Sequence, residues 1–325
     1  MTQLCCSYLF AYLVILGIAL GCLGLLLLHG LVGGEWGKAS RRILQSGANT
    51  IPWLGVLFVP VLLGLRHIYP WMDPVQLMNG SYSAGHKQLY FHVPFFILRA
   101  TLYFVLWSWM GSHQRRTTRG SAIGLLLYVL TVSWASFDWM MSLEPQWSSS
   151  IYGAMIMIGD VLSALAFVPL VLNWQARHAK KPSEVPADTT HDLGNLLLAF
   201  VMLWAYMGLS QYLIIWSANL PDEIGWYLAR QRGGWQAVAI VLILFQFTLP
   251  FLLLLARQRK RKLVSLARVA GLILVLRVVD IFWLTVPDFS PGRFSLHVLD
   301  FAALGVLGWV WMVVFRHQLD ILETA

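Results

Sequence analysis

Nine long apolar runs, each close to the length of a membrane-spanning helix, divide this sequence of 325 residues. A helix needs about 20 apolar residues to cross the hydrocarbon core of a bilayer. The segments between the runs carry most of the charges and are too short to hold a folded aqueous domain. The sequence therefore predicts an all-α, polytopic transmembrane bundle that forms one integral membrane domain over residues 1–325. The predicted spans are residues 7–32, 48–69, 90–111, 121–142, 151–173, 193–217, 235–256, 266–287 and 297–316.

Composition and charge exclude several other classes of protein. Hydrophobic residues make up 58% of the chain and charged residues 12%, whereas a soluble domain carries about 25% charged residues. The net charge of +8 resides mainly in short loops between spans, which indicates membrane orientation and not nucleic-acid binding. Cys5, Cys6 and Cys22 form no CxxC or Cys/His motif, so we expect no metal, iron–sulfur or c-type haem site in this chain.

Orientation follows from the distribution of lysine and arginine among the loops. With nine spans, the odd-numbered loops and the C-terminal end carry most of the basic residues. The even-numbered loops carry few, namely Arg66, Lys87, Arg230, Arg232 and Arg293. The positive-inside rule then places the odd-numbered loops in the cytoplasm. We predict a multi-pass protein of the bacterial inner (cytoplasmic) membrane, with its N-terminus outside and its C-terminus in the cytoplasm.

Four ionisable residues lie well inside predicted spans. A charge near the bilayer centre costs at least about 2.5–3.5 kcal/mol and is a functional candidate by default. Arg277 and Asp280 are three residues apart on one helix face, so they are either part of a proton path or a pair that neutralises itself. Asp160 has no basic residue one turn away, so it must find a partner on another helix, be protonated or face water. Arg99 is a candidate counter-ion for Asp160.

Further candidates for a proton path lie at the ends of spans. Carboxylates cost little at the interface, so each has a simpler explanation as a helix-terminal or headgroup-zone residue. These candidates are Asp138 and Glu144 at the periplasmic end of the fourth span, His191 and Asp192 at the start of the sixth, and His297 and Asp300 at the start of the ninth.

Quinone binding is a second possibility. A quinone pocket needs an aromatic wall and one or two hydrogen-bonding groups, and the sixth span supplies Trp204, Gln211 and Tyr212, with Asp138 as a further candidate. Polar side chains within spans more often join helices to one another. The composition therefore permits a quinone site without specifying one.

Several strings in this sequence resemble the NrfD-like membrane subunits of alternative complex III, a quinol:cytochrome c oxidoreductase. The longest of these strings is VSWASFDWMMSLEP at residues 132–145. The others include FFILR at 95–99, HDLG at 191–194 and RVVDIFW at 277–283. Their order along the chain also agrees with the order in that family. The resemblance covers about residues 70–290 and is closest to the smaller of the two NrfD-like subunits in that complex. One departure is the number of spans, because the family usually has about ten. The span that this sequence lacks would be at its N-terminus.

The resemblance implies stacked four-helix bundles and a subunit without a redox centre of its own. Quinol would be the electron donor of the complex, and haem c and iron–sulfur clusters would lie in partner subunits. Those partners would be the larger NrfD-like subunit, an iron–sulfur subunit and cytochrome c subunits, with cytochrome c or an associated terminal oxidase as acceptor.

We therefore predict a proton path from His191 and Asp192, past Asp160 and the Arg277/Asp280 pair, to Asp138 and Glu144. Arg99 would tune the pKa of a carboxyl group along this path. The alternatives are a quinone-binding subunit and a scaffold that conducts no protons.

Overall fold

Nine helices long and apolar enough to cross a membrane form the described part of the chain, and no strand occurs there. The computed structural model describes residues 1–73, 90–112, 117–178, 185–290 and 292–324. This confirms the predicted all-α polytopic fold of a multi-pass membrane protein. The helices are α1 Thr2–Val32, α2 Glu35–Leu63, α3 Val93–Ser112, α4 Thr118–Leu143, α5 Tyr152–His178, α6 Ala187–Ala218, α7 Trp235–Leu255, α8 Leu263–Asp288 and α9 Val298–Glu323.

Two helices occupy the centre of the molecule. The most apolar stretch of α1 is 89% buried and that of α5 is 83% buried, whereas the corresponding value for α6 is 17%. No Asp, Glu, Lys or Arg occurs in α1. A helix that is apolar on every side is stable only when other helices surround it or lipid does. In this fold α1 and α5 are surrounded by helices, and the outer helices present their apolar faces to lipid.

The first eight helices form two four-helix groups. Helices α2, α3 and α4 pack around α1, while α6 and α8 pack against α5 and α7 packs against both α6 and α8. The groups meet along α1 and α5, and α9 packs against α1 and α2. At the centre of this contact, a Cβ atom on Gly21 of α1 would overlap the backbone carbonyl oxygen of Asp160 of α5. The stacked arrangement expected from the sequence is therefore present, and a glycine permits its close approach.

Prolines interrupt two of the helices. In α2, turns divide the regular segments Glu35–Ala48, Ile51–Leu57 and Val59–Leu63, of which the last two begin next to a proline. In α7 a π-helical segment, Leu242–Thr248, directly precedes Pro250. Proline has no backbone N–H and its ring crowds the carbonyl one turn earlier, so the helix widens or breaks there.

The predicted start of the second span is wrong. It was expected at residue 48, whereas α2 begins at Glu35. The added segment is amphipathic, because Ile43 and Leu44 are buried while Lys38 lies on the exposed side. A search for uniformly apolar windows passes over such a segment, although its apolar face packs as well as that of a spanning helix.

Side-chain contacts confirm that odd and even loops lie at opposite ends of the bundle. At one end, Gln175 of α5 donates to Glu323 of α9, and Arg261 forms an ion pair with Asp188 of α6. We call this the basic end. At the other end, called the opposite end, the hydroxyl of Ser7 of α1 donates to Asp300 of α9. Successive loops of a chain with nine spans must alternate between the two ends of the bundle, and these contacts agree with that alternation. Which end faces the cytoplasm stays a prediction from loop charge.

Candidate functional site

A buried polar cluster lies where α5, α6 and α8 meet in the middle of the second group. Arg277 pairs with Asp280 one turn further along α8, and Trp204 Nε1 of α6 donates to the same Asp280 oxygen at 2.8 Å. Arg277 Nε also donates to Ser163 Oγ of α5 at 3.2 Å. The spacing of Arg277 and Asp280 had predicted their pairing. Ser163 was not anticipated, since serines are common in spans and carry no distinguishing signal.

Asp160 of α5 is the exception among the buried carboxylates. Its side chain is 4% exposed, and within the described ranges it forms no hydrogen bond or ion pair. The guanidinium of Arg277 lies against the neighbouring Gly159 and interacts with Asp160 electrostatically. Asp160 Oδ1 is 2.5 Å from the position that a Cβ on Gly17 of α1 would occupy. The Asp160 carboxylate is therefore close to the Arg277 guanidinium, but the direct ion pair of Arg277 is with Asp280.

Asp160 also borders a small cavity between the two helix groups. The cavity has a volume of about 20 Å³, which is room for about one water molecule. Residues of α1, α4, α5 and α8 line it, including Gly17, Ala135, Ser136 and Ile281. A water in this cavity would give the Asp160 carboxylate the hydrogen bond that no described protein group supplies.

Asp138 lies in the other helix group and is fully engaged. Arg99 Nη2 and Nε donate to its two carboxylate oxygens at 2.7 and 2.9 Å, and the hydroxyls of Tyr90 and Tyr103 donate to them at 2.7 and 2.9 Å. The expectation that Arg99 balances Asp160 is wrong, because α3, which carries Arg99, packs against α2 and α4. Four donors on its two oxygens hold Asp138 within the first group, and Asp160 is not among its partners.

A second buried ion pair lies near the opposite end. Arg230, in the short helix Pro221–Arg230, is 1% exposed, and its Nη2 donates to Asp288 Oδ1 at 2.8 Å. The guanidinium stacks 3.6 Å from the ring centre of Trp226. Glu144 interacts electrostatically with both charges. Sequence reasoning missed this site because Arg230 was counted as a loop charge, and its partner lies 58 residues away in the chain.

Tyr152 begins α5 and precedes Asp160 by eight residues, or about 12 Å along the helix. The side chain is 1% exposed at the start of α5. Its hydroxyl is close enough to Asp280, Arg230 and Asp288 for their charges to act on it. A hydroxyl both donates and accepts hydrogen bonds. Tyr152 therefore provides a polar group between the middle of the bundle and its opposite end.

The titration of Glu144 provides a test of this end of the site. Burial raises the pKa of the Glu144 carboxyl above its ordinary value of 4.5, Asp288 raises it further and Arg230 lowers it. A carboxyl with a raised pKa in the folded state contributes stability below its unfolded pKa, and that contribution is lost as the pH rises through the folded pKa. We expect the thermal midpoint of the wild type to fall relative to that of Glu144→Gln as the pH rises from 4.5 towards neutral. A midpoint difference that does not change across this window would contradict the raised pKa.

The structure does not bring His191 and Asp192 to the central cluster. Asp192 is exposed and His191 is partly exposed near the start of α6, where Asn195 lies 3.3 Å from His191 Nδ1 and accepts from Lys260 at 2.7 Å. Trp204 follows His191 by thirteen residues, or about 20 Å along the helix. The predicted entrance is therefore separated from the cluster by more than three helical turns of α6.

Asp300 and His297 form a helix-terminal arrangement. Asp300 Oδ2 accepts from the backbone N–H of His297 at 2.9 Å, and Oδ1 accepts from Ser7 and Gln3 of α1. A carboxylate that caps the first turn of a helix stabilises it through the unpaired backbone N–H groups there. Asp300 thus caps α9 and ties it to α1, and it makes no contact with the central cluster.

The four quinone candidates do not share one pocket. Trp204 donates to Asp280, and Asp138 lies in the other helix group. Gln211 accepts from Ser149 at 3.4 Å and its amide lies beside the hydroxyl of Tyr227, while Tyr212 stacks on Trp216. A larger cavity of about 380 Å³ lies elsewhere, near the basic end between α2, α3 and α9. Its lining includes Asn49, Trp53, Ser108 and Gln318.

Comparison with known proteins adds no relative to this description. No protein-family model matches the chain. No curated protein matches it either. Among the described residues, no group of three or more His, Cys, Asp and Glu side chains is arranged to hold a metal ion. Function therefore has to be inferred from the central cluster and from the sequence strings.

Proposed function

We propose that this chain conducts protons across the membrane as a subunit without a redox centre in a quinol-oxidising complex. The observation that carries the proposal is Asp160, a buried carboxylate that has no direct partner in the described structure and borders a water-sized cavity. Intramembrane carboxylates that face a cavity commonly belong to proton relays. The assignment to an alternative complex III of the bacterial inner membrane rests on the resemblance of residues 132–145. Haem c and iron–sulfur clusters would belong to its partner subunits.

The geometry favours conduction over a purely structural role. A scaffold needs every buried carboxylate to be neutralised, since an unpaired buried charge is costly. Asp138, Asp280, Asp288 and Asp300 all have hydrogen-bond or ion-pair partners. Asp160 has no such partner in the described structure. If Asp160 only maintained the fold, replacing it with an apolar residue would stabilise the protein.

Arg277 gives the proposed path its switching element. When Asp160 is protonated, Asp280 is the carboxylate that holds Arg277, as their direct ion pair indicates. When Asp160 loses its proton, the new negative charge attracts the same guanidinium and weakens its hold on Asp280. A proton leaving this cluster would then pass Tyr152 towards Arg230, Asp288 and Glu144 at the opposite end. This exit replaces the predicted one through Asp138.

Replacement of Asp160 by asparagine tests the proposal. Asparagine keeps the size of the side chain but does not carry a proton at neutral pH. We expect a lower proton-to-electron ratio during quinol oxidation by the complex that co-purifies with a tagged copy of this chain, reconstituted in liposomes. The ratio should fall to the value that quinol chemistry gives without a path through this chain, while the oxidation rate is matched to the wild type.

Asp300→Asn is the matched control, because Asp300 is also buried but caps a helix. It should leave the ratio unchanged. An unchanged ratio in Asp160→Asn would reject the proton path.

A second candidate function is quinone binding in the cavity between α2, α3 and α9. Its volume of about 380 Å³, the exposed ring of Trp53 and the amides of Asn49 and Gln318 provide an aromatic surface and hydrogen-bonding groups at a lipid-facing position. An unchanged proton-to-electron ratio in Asp160→Asn, combined with labelling of Trp53 by a photoreactive quinone, would favour this function over conduction.

A further inference from the structure

Two buried hydroxyl groups on α4 have no hydrogen-bond partner in the described structure. Ser121 is 0% exposed and Tyr128 is 1% exposed, and neither Ser121 Oγ nor Tyr128 Oη is paired. Buried hydroxyls are nearly always hydrogen-bonded, because leaving one unpaired costs free energy. Two such groups on one helix therefore indicate a role that packing does not explain, or sites for water.

Both hydroxyls point at glycines of α1. Tyr128 Oη is 2.9 Å from the position of a Cβ on Gly24, and a Cβ on Gly30 would overlap Ser121 Oγ. Any larger residue at Gly24 or Gly30 would displace these oxygens. The space along α1 is thus kept open for the two hydroxyls, and they lie between α1 and α4 and not towards lipid.

The same face of α4 leads to the cavity beside Asp160. Ser121, Tyr128 and Ala135 follow each other at intervals of seven residues, which is two helical turns and about 10 Å. Ala135 lines the cavity that Asp160 borders, and Asp160 interacts electrostatically with Tyr128. Ser121 lies in the first turn of α4, at the basic end. The three positions therefore mark a line from the basic end to the central carboxylate.

We propose that protons reach Asp160 from the basic end along this line, by way of the hydroxyls of Ser121 and Tyr128, and not by way of His191 and Asp192. The inference rests on the proposed proton-conducting function and specifies its uptake route. His191 and Asp192 are partly or fully exposed and about 20 Å from the cluster along α6, whereas the buried hydroxyl of Tyr128 lies about 10 Å along α4 from a residue that lines the cavity beside Asp160.

A hydroxyl group relays a proton without changing its own charge. Tyr128 Oη accepts a hydrogen from a water on the Ser121 side while its own hydrogen passes towards Asp160, and rotation of the O–H bond then restores the starting state. Ser121 does the same at the basic end. Each gap of about 10 Å needs about two or three waters at hydrogen-bond spacing. These waters enter transiently, and the unpaired hydroxyls are their binding sites.

Tyr128→Phe is the direct test, because it removes one oxygen and leaves the ring. We expect the rate of proton uptake by the reconstituted complex to fall about tenfold, equivalent to about 1.4 kcal/mol in the barrier. The thermal midpoint should not fall, since the lost hydroxyl has no protein partner. Ser121→Ala should lower uptake in the same direction.

Tyr12→Phe is the matched control. Tyr12 is an equally buried tyrosine, but its hydroxyl donates to the carbonyl of Leu54 at 3.0 Å. It should lower the midpoint and leave proton uptake unchanged.

Two further variants separate the possible failures. If Asp160→Asn blocks uptake while Tyr128→Phe conducts like the wild type and Asp192→Asn is impaired, the hydroxyl route is overturned and the proposed function stands. If Asp160→Asn itself conducts normally, the proposed function fails and the route fails with it. Impaired uptake in Tyr128→Phe with an unchanged midpoint supports the route, because a structural role would have altered stability.

Discussion

Replacement of Arg99 by methionine is expected to lower the free energy of unfolding by about 3–5 kcal/mol, the usual cost of removing one partner of a buried ion pair. Arg99 is the cation for Asp138, whose side chain is 1% exposed, and it also donates to the carbonyl of Tyr90 at 2.9 Å. Without it, the partners that the carboxylate retains among the described residues are the hydroxyls of Tyr90 and Tyr103. Thermal or denaturant unfolding of the purified protein in detergent measures the change.

An exposed ion pair provides the control for Arg99. Lys38 pairs with Glu35 at 2.6 Å, but both side chains are about two-thirds exposed. Lys38→Met should therefore change stability by no more than about 1 kcal/mol. The double variant Arg99→Met, Asp138→Leu should recover part of the loss, because it removes the uncompensated charge. Equal stability of Arg99→Met and wild type would show that the pair does not hold α3 to α4.

Replacement of Gly21 by alanine is the second large effect that we expect. The new methyl group would overlap the backbone carbonyl oxygen of Asp160 and lie 2.8 Å from the Cβ of Ala164. Backbone atoms of a helix do not move aside as a flexible side chain does, so α1 and α5 must separate. Overpacking of a core costs about 1–3 kcal/mol and sometimes more, and we expect the upper part of this range. The thermal midpoint should fall accordingly.

Gly208→Ala is the control for Gly21→Ala. No atom lies within 4 Å of a Cβ at Gly208 on α6, and alanine is favoured over glycine within a helix by about 1 kcal/mol. We therefore expect Gly208→Ala to leave the midpoint unchanged or to raise it. If both variants behaved alike, the close contact between α1 and α5 would not limit stability.

The fold could be predicted from the sequence because its main signal is local. An apolar run of spanning length identifies a membrane helix without knowledge of its neighbours, and all nine predicted spans correspond to helices. The pairing of Arg277 with Asp280 could also be predicted, since residues three apart share a helix face. The predicted start of α2 was wrong because half of the first segment of this helix is polar.

Contacts between helices were not predictable in the same way. Arg99 was assigned to Asp160 on depth alone, yet its partner is Asp138, 39 residues away on the helix that packs beside it. Arg230 was taken for a loop charge, although Trp226 and Asp288 bury it. The roles of Ser121 and Tyr128 depend on which α1 residues face them. Apolar helix surfaces look alike in sequence whether they meet lipid or another helix, so such neighbours emerge only from the structure.

The central position of α1 has a consequence for how the molecule is assembled. Its partners α5 and α9 are synthesised more than a hundred residues after it. Until they are inserted, the surface of α1 that they cover is exposed to lipid. Contacts between distant parts of a chain form slowly. The contact between Asp300 of α9 and Ser7 of α1 therefore forms only after the last helix has been inserted. Until then the side of α1 that α9 covers is accessible to lipid and to any other protein in the membrane during biogenesis.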